Sequence, residues 1–273
     1  MMRGDEQARM SIASHVKAVL RKSPLTIAAY RAIKNATVYP LRFTSLRTLQ
    51  LENLPLKDLL HPEKVGLLKI VAPYTKAGYP RLSNVYALSI ALEEGNVPGA
   101  FVECGTWKGG CSAIMGAVSD RYGSRRMTWY LDSFEGMPDP TEADGEGTEE
   151  IEGDILKASA SDVKEIIFKK LKLAPARNRI VKGWFKETLP KVKDEIGPIA
   201  LLRLDADWYE ATLYCLRELY NQVVPGGYII FDDYARWEGC RKAVREFLEE
   251  RKLNPKFEYI GTYGHRVMFF KKS

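Results

Sequence analysis

Carboxylates stand at the ends of apolar runs in this chain, in Leu204-Asp205-Ala206-Asp207 and again in Phe231-Asp232-Asp233-Tyr234. If both runs are strands of one sheet, Asp205, Asp232 and Asp233 converge at its edge, where a hard cation or protonation must relieve their repulsion. Mg²⁺ suits such a site, because it takes oxygen ligands and keeps waters that a substrate hydroxyl can displace. Asp207 lies two positions on and is equally placed to cap a following helix. Two more acids precede turns. Glu103 leads into Cys104-Gly105-Thr106-Trp107-Lys108-Gly109-Gly110, whose glycines allow a tight turn and close approach of backbone to a ligand. The spacing is not that of GxGxxG, but a carboxylate before such a turn suits a cationic or hydroxyl-bearing ligand. Asp132 leads into Ser133-Phe134-Glu135-Gly136. At the end of a second strand it can accept both hydroxyls of a ribose, with Phe134 against an adenine. A helix N-cap at Asp132 or Ser133 is the structural alternative. A fifth segment, Val181-Lys182-Gly183-Trp184-Phe185, puts glycine and aromatics at the same edge.

These residues need a frame. After Pro98, short apolar runs alternate with helical periods, the pattern of a parallel sheet covered on both faces. Strands are expected over 100–104, 127–131, 179–182, 199–204 and 228–231. Helices are expected near 110–121, 161–171, 187–195, 209–223 and 237–251. Segments 257–262 and 266–271 flank Tyr263-Gly264-His265 and read as an antiparallel hairpin. Five parallel strands closed by a terminal hairpin give an α/β, doubly wound, seven-stranded sheet. Ahead of it, helices are expected over 62–71, with Pro62 in the first turn and Pro73 as its stop, and over 81–94, ended by Gly95. Residues 11–34 have irregular helical spacing broken by Pro24. The division expected is a helical N-terminal extension over 1–72, making substrate and oligomer contacts, and a catalytic domain over 73–273.

Composition narrows the class. Hydrophobic residues at 45% and charged residues at 28% fit a globular chain, not disorder or a coiled coil. No run approaches 18 uncharged apolar residues and no leader pattern opens the sequence, so the expectation is a cytoplasmic protein without a membrane span. Residues 1–60 hold ten Lys or Arg against four Asp or Glu, and the rest are balanced at 31 each. That excess is diffuse and interleaved with apolar residues, so nucleic acid is not an expected partner. From Asp139 to Asp154 there are eight acids and no Lys or Arg, with three glycines, which reads as a mobile loop. Cys104, Cys111, Cys215 and Cys240 have no metal or disulfide spacing and read as small buried hydrophobes.

Together these stretches resemble the macrocin O-methyltransferase family, enzymes that use S-adenosylmethionine to methylate sugar hydroxyls of glycosylated natural products. The resemblance is carried by Pro73-Tyr74-Thr75, Arg81-Leu82, Phe101 to Gly110, Asp132 to Pro138, Gly183-Trp184-Phe185, Thr188-Leu189-Pro190, Leu204 to Asp207 and Pro225 to Tyr234. It implies the class I methyltransferase sheet, a small-molecule or glycan acceptor, and a dimer or higher homo-oligomer. The methyl-donor site so expected comprises Thr75, Glu103, Gly105, Thr106, Gly110, Ser112, Asp132, Ser133, Phe134, Gly183 and Trp184. Mg²⁺ would be held by Asp205, Asp232 and Asp233. Lys76 and Ala77 depart from the residues usual after the threonine. A histidine common after the Asp-Ser-Phe segment is missing, since residues 135–187 contain none and the chain has only His15, His61 and His265. The proton acceptor is therefore sought in Asp205, or in Asp139 or Glu142 of the acidic loop. Two other classes stay open at this point: a methyl-donor-binding protein without catalysis, and a nucleotide-dependent oxidoreductase on a related sheet.

Overall fold

The computed structural model describes residues 58, 60–146, 148, 156–261 and 267–273. The chain divides into two compact units, Met1–Thr48 and Leu49–Ser273. All described residues belong to the second, so the helical reading of residues 11–34 lies outside them. The boundary anticipated after residue 72 falls inside this second unit. There α1 (Pro62–Val71) buries Val65, Leu68 and Val71, with Pro in its first turn where an amide is not needed. A short 3-10 turn over Ala72–Tyr74 follows, then α2 (Tyr79–Glu94).

Seven strands form one sheet: β1 (Ala100–Cys104), β2 (Thr128–Asp132), β3 (Asn178–Lys182), β4 (Ile199–Leu204), β5 (Val223–Phe231), β6 (Glu258–Ile260) and β7 (Val267–Lys271). Their order is β3-β2-β1-β4-β5-β7-β6, with β7 antiparallel to both its neighbours. The hairpin expected at the end of the chain is thus present, and its turn at 262–266 lies outside the described residues. β1 and β4 are buried at every position, as strands covered on both faces must be. Val102, Trp129, Leu131, Leu202 and Leu204 share one core with α5 (Phe185–Ile196), α6 (Tyr209–Leu219) and α7 (Glu238–Glu250). The alternate residues, among them Phe101, Glu103, Tyr130 and Arg203, turn to the other face. α2 and α3 (Gly110–Arg121) pack there.

Two elements differ from their sequence pattern. The helix expected over 161–171 is α4 (Ala160–Lys164) continuing as a π-helix over Glu165–Lys170, which buries the consecutive Ile166 and Ile167. β5 starts at Val223, five residues earlier than expected. Val223 pairs with Ile199 and Tyr228 with Leu201, so the intervening Pro225-Gly226-Gly227 bulges out of register. A side chain at Gly227 would lie 2.8 Å from the Ala200 carbonyl oxygen.

Candidate active site

The strand order reverses between β1 and β4, and a ligand crevice belongs beyond the carboxyl ends of strands at such a point. A cavity lies there. Its wall includes Thr75, Glu103, Gly105, Thr106, Asp132, Ser133, Trp184, Asp205, Asp232 and Asp233. Register explains the assembly. Glu103 on β1 pairs with Arg203 on β4, and Leu204 with Phe231 on β5, so the residues after each strand emerge side by side. The Asp205 amide donates to the Cys104 carbonyl at 2.9 Å, and the Asp232 amide to Leu204 at 3.0 Å. Gly105 has φ +86°, and a β-carbon there would stand 1.8 Å from the Asp205 carbonyl oxygen. Only glycine fits that approach.

The wall formed by Glu103 and Asp132 is built from buried hydrogen bonds. Glu103 is 1% exposed and accepts from Arg203, from the Ser112 hydroxyl, and from Thr106 Oγ1 at 3.1 Å. Burial pushes its carboxyl up to about 7, against the pull of Arg203 and the Ser112 hydrogen bond. Asp132 accepts from the backbone amides of Trp107 and Phe134, both at 2.7 Å. These bonds fix its carboxylate on the wall and leave lone pairs for further donors. Ser112, Gly110, Gly183 and Phe134 do not line the cavity. Ser112 serves through Glu103. Gly110 lets Thr75 approach, since a β-carbon there would meet the Thr75 β-carbon at 2.7 Å. Gly183 has φ +134° next to Trp184. Phe134, at φ 58°, is 8% exposed.

The acidic side is not the bare cluster that strand ends suggest. Arg203, fully buried on β4, reaches Asp205 Oδ2 at 2.7 Å and Asp232 Oδ1 at 2.5 Å while also pairing with Glu103. Arg81 on α2 pairs with Asp232 from the other direction. Three aspartates thus face two guanidiniums. Asp205, Asp232 and Asp233 each offer an oxygen, all within 4.8 Å of one another. Burial alone would raise the Asp205 carboxyl, but Arg203 reverses that and holds it below its usual range. Asp233 moves the other way, driven well upward by burial and then by Asp207, Asp205 and Asp232. Its Oδ2 is buried with no hydrogen-bond donor among the described residues.

Several anticipated roles move to other residues. Asp139 and Glu142 are exposed and outside the cavity wall, so neither is in place to take a proton there. Asp207 does not cap α6. It accepts from Trp237 Nε1 at 2.9 Å and lines the cavity, and burial followed by Asp205 pushes its carboxyl up to about 7. The cap on the Tyr209 amide comes from Asp144. The part of the acidic run around it is built structure, with a 3-10 turn over Glu142–Asp144. Among the described residues no histidine lines the cavity: His61 is exposed at the start of α1, while His15 and His265 lie outside the described residues. All four cysteines are buried and unpaired.

The model of the macrocin-O-methyltransferase family matches residues 61–272. The chain belongs to this family. Membership makes it an S-adenosylmethionine-dependent O-methyltransferase and removes the oxidoreductase alternative. Among curated relatives, 8-demethyl-8-(2,3-dimethoxy-alpha-L-rhamnosyl)-tetracenomycin-C 4'-O-methyltransferase of Streptomyces olivaceus is 38% identical over 180 residues, covering 64% of this chain and 67% of its own. Mycinamicin III 3''-O-methyltransferase of Micromonospora griseorubida is 33% identical over 199 residues, 70% of this chain and 76% of its own. Among solved structures, the O-methyltransferase NovP superposes with a TM-score of 0.67 at 31% identity, covering 73% of this chain and 82% of that one. The fold is therefore that of the class I O-methyltransferases. Among the described residues no helix is long and apolar enough to cross a membrane.

Within this family frame, Asp132→Ala is expected to weaken binding of S-adenosylhomocysteine by about 1.5–3 kcal/mol, the value of a hydrogen bond to a charged group. Isothermal titration measures it, and an unchanged affinity removes Asp132 from the donor site.

Proposed function

We propose that the protein transfers the methyl group of S-adenosylmethionine to a sugar hydroxyl of a glycosylated small molecule, with Mg²⁺ held by Asp205, Asp232 and Asp233. The observation that carries this reading is that one cavity wall brings together Glu103, Gly105, Asp132 and the three aspartates. The names of the relatives support the acceptor class, since one acts on a rhamnosyl-bearing tetracenomycin at a 4' oxygen and another on a 3'' oxygen of mycinamicin III. The residues fit a divalent ion. Three carboxylates lie within reach of one centre, and Asp233 Oδ2 has an unused lone-pair site. A homo-oligomer in the cytoplasm is part of the same proposal.

Methyl transfer asks mainly for alignment, because the sulfonium centre supplies its own leaving group. Asp132 would hold the ribose, and Glu103 the ammonium of the methionine portion, while Gly105 lets the donor lie against the backbone. Mg²⁺, when bound, would make a sugar hydroxyl more acidic by polarising its oxygen. Asp205, whose side chain is 30% exposed toward the cavity, would take the proton. Arg203 keeps Asp205 ionised and so ready to accept, though as a weak base.

The Glu103 role carries a pH signature. Its carboxyl, raised to about 7, is protonated below that value and ionised above it, and only the ionised form attracts an ammonium. Affinity for S-adenosylhomocysteine is expected to fall as pH drops below about 7, approaching tenfold per unit, and Glu103→Gln should flatten the profile. Titrations between pH 5.5 and 8.5, taking those as rough limits around the shifted value, check this. An equally steep profile in the Gln variant would assign the titration to another group. For the reaction itself, labelled donor and a panel of glycosylated acceptors with mass spectrometry is the deciding experiment. No methylated product from any acceptor, with donor bound, would leave a donor-binding protein without catalysis.

A further inference from the structure

Behind the two aspartate-bearing loops lies a carboxylate with no part in the donor or cation chemistry. Asp144 is 1% exposed, although it belongs to a run of eight acids whose composition suits a solvated loop. Its Oδ1 accepts the Tyr209 backbone amide at 2.7 Å. Its Oδ2 accepts the Thr141 amide at 2.7 Å and the Thr141 hydroxyl at 2.9 Å. The first turn of α7 presses on the same junction, where a β-carbon at Gly239 would stand 2.4 Å from Asp144 Oδ1 and 3.0 Å from both its Cα and the Tyr209 nitrogen.

The places of these contacts matter. Tyr209 opens α6, two residues after Asp207, and Gly239 lies in the first turn of α7, shortly after Asp232 and Asp233. Helix starts present unpaired amides and partial positive charge, so a carboxylate between two of them is stabilised without a cation partner. A second tether lies close by. Trp208 Nε1 donates to the Pro138 carbonyl at 2.9 Å, and Trp208 meets Trp237 edge-on at 5.2 Å. Met137 and Pro138, at the near end of the tethered loop, form part of the cavity wall, whereas Asp144 does not.

We propose that Asp144 is a positioning residue for methyl transfer. It pins residues 138–146 across the starts of α6 and α7, and so fixes the spacing between the Asp205 loop and the Asp232-Asp233 loop together with the Met137-Pro138 wall. It acts through these groups and touches no reactant. One of its readouts rests on the cation site proposed above; the other does not.

The test compares the native chain with Asp144→Ala, Asp144→Asn and Thr141→Ala. Hydrogen exchange by mass spectrometry follows segments 137–146, 205–212, 100–104 and 199–204. Mn²⁺ affinity is measured by electron paramagnetic resonance and S-adenosylhomocysteine affinity by calorimetry. In Asp144→Ala, exchange over 137–146 and 205–212 is expected to quicken by about tenfold or more, as for loss of a strong helix cap, while the two strands stay protected. Mn²⁺ binding weakens by a similar factor and donor affinity changes by less than about threefold. Asp144→Asn, which keeps an oxygen for the Tyr209 amide, restores most protection over 205–212. Thr141→Ala loosens 137–146 alone. Native exchange and native Mn²⁺ affinity in Asp144→Ala overturn the proposal, and so does a uniform loss of protection across the sheet in Asp144→Asn. If the native chain binds no Mn²⁺, the cation site fails, and the exchange data still decide the role of Asp144.

Discussion

Arg203→Met is expected to destabilise the protein by about 3–5 kcal/mol, the loss measured when one partner of a buried ion pair is removed. For a unit of this size that is a fall in melting temperature of roughly 6–20 °C. Arg203 is fully buried and serves Glu103, Asp205 and Asp232 at once. Methionine fills much of the space but leaves Asp232 with Arg81, and Glu103 with the Ser112 and Thr106 hydroxyls and no cation. The loss should depend on pH. Glu103 is already raised to about 7 with the guanidinium present, and Asp205 is held below its usual range by that guanidinium, so its removal moves all three carboxyls upward. A folded state with raised carboxyl pKa values binds more protons than the unfolded chain, so its stability falls as pH rises from about 4.5 through the raised values. The deficit is therefore smallest near pH 5 and largest above about pH 7. Melting curves of both proteins at these two pH values check it, and equal deficits at both would mean that Arg203 acts by packing alone.

Asp205→Asn is expected to lower turnover by about 10²–10⁴-fold, the range for loss of a positioned proton acceptor. Donor affinity should stay within about twofold, because the ribose contact is assigned to Asp132. Asparagine keeps the shape of the side chain, and Arg203 retains Glu103 and Asp232, so the fold should survive the change. The assay is transfer of labelled methyl to a glycosylated acceptor, run also in chelator. Full turnover in the Asn variant would remove Asp205 from proton transfer. Full turnover of the native protein in chelator would remove the divalent ion.

Much of the frame is legible because it rests on periodicity. Apolar runs of five or six residues between helical segments mark strands buried on both faces, and the acids that follow them fall at one edge by topology alone. What escapes is the charge that answers those acids. Arg203 leaves a trace, as a lone cation inside the run Ile-Ala-Leu-Leu-Arg-Leu. A charge in a buried strand requires carboxylates on the neighbouring strands, and Glu103 is its register partner. Arg81 leaves none, since an arginine near a helix start looks the same whether it meets water or Asp232. Asp144 is hidden by composition: its seven acidic neighbours make the run look solvated, and only the Thr141 spacing of a capping box hints at order. Phe134 hides a backbone feature, since it takes a left-handed conformation, φ 58°, at a position where no glycine announces one.

The close approach of Gly105 to the Asp205 carbonyl has a consequence for engineering. Segments on different strands that touch through main chain alone cannot be exchanged independently between relatives, because no side-chain adjustment relieves a mismatch. A chimera that imports a new acceptor pocket after β4 should bring its matching turn after β1 with it, and grafting either one singly should yield protein that misfolds or binds no donor.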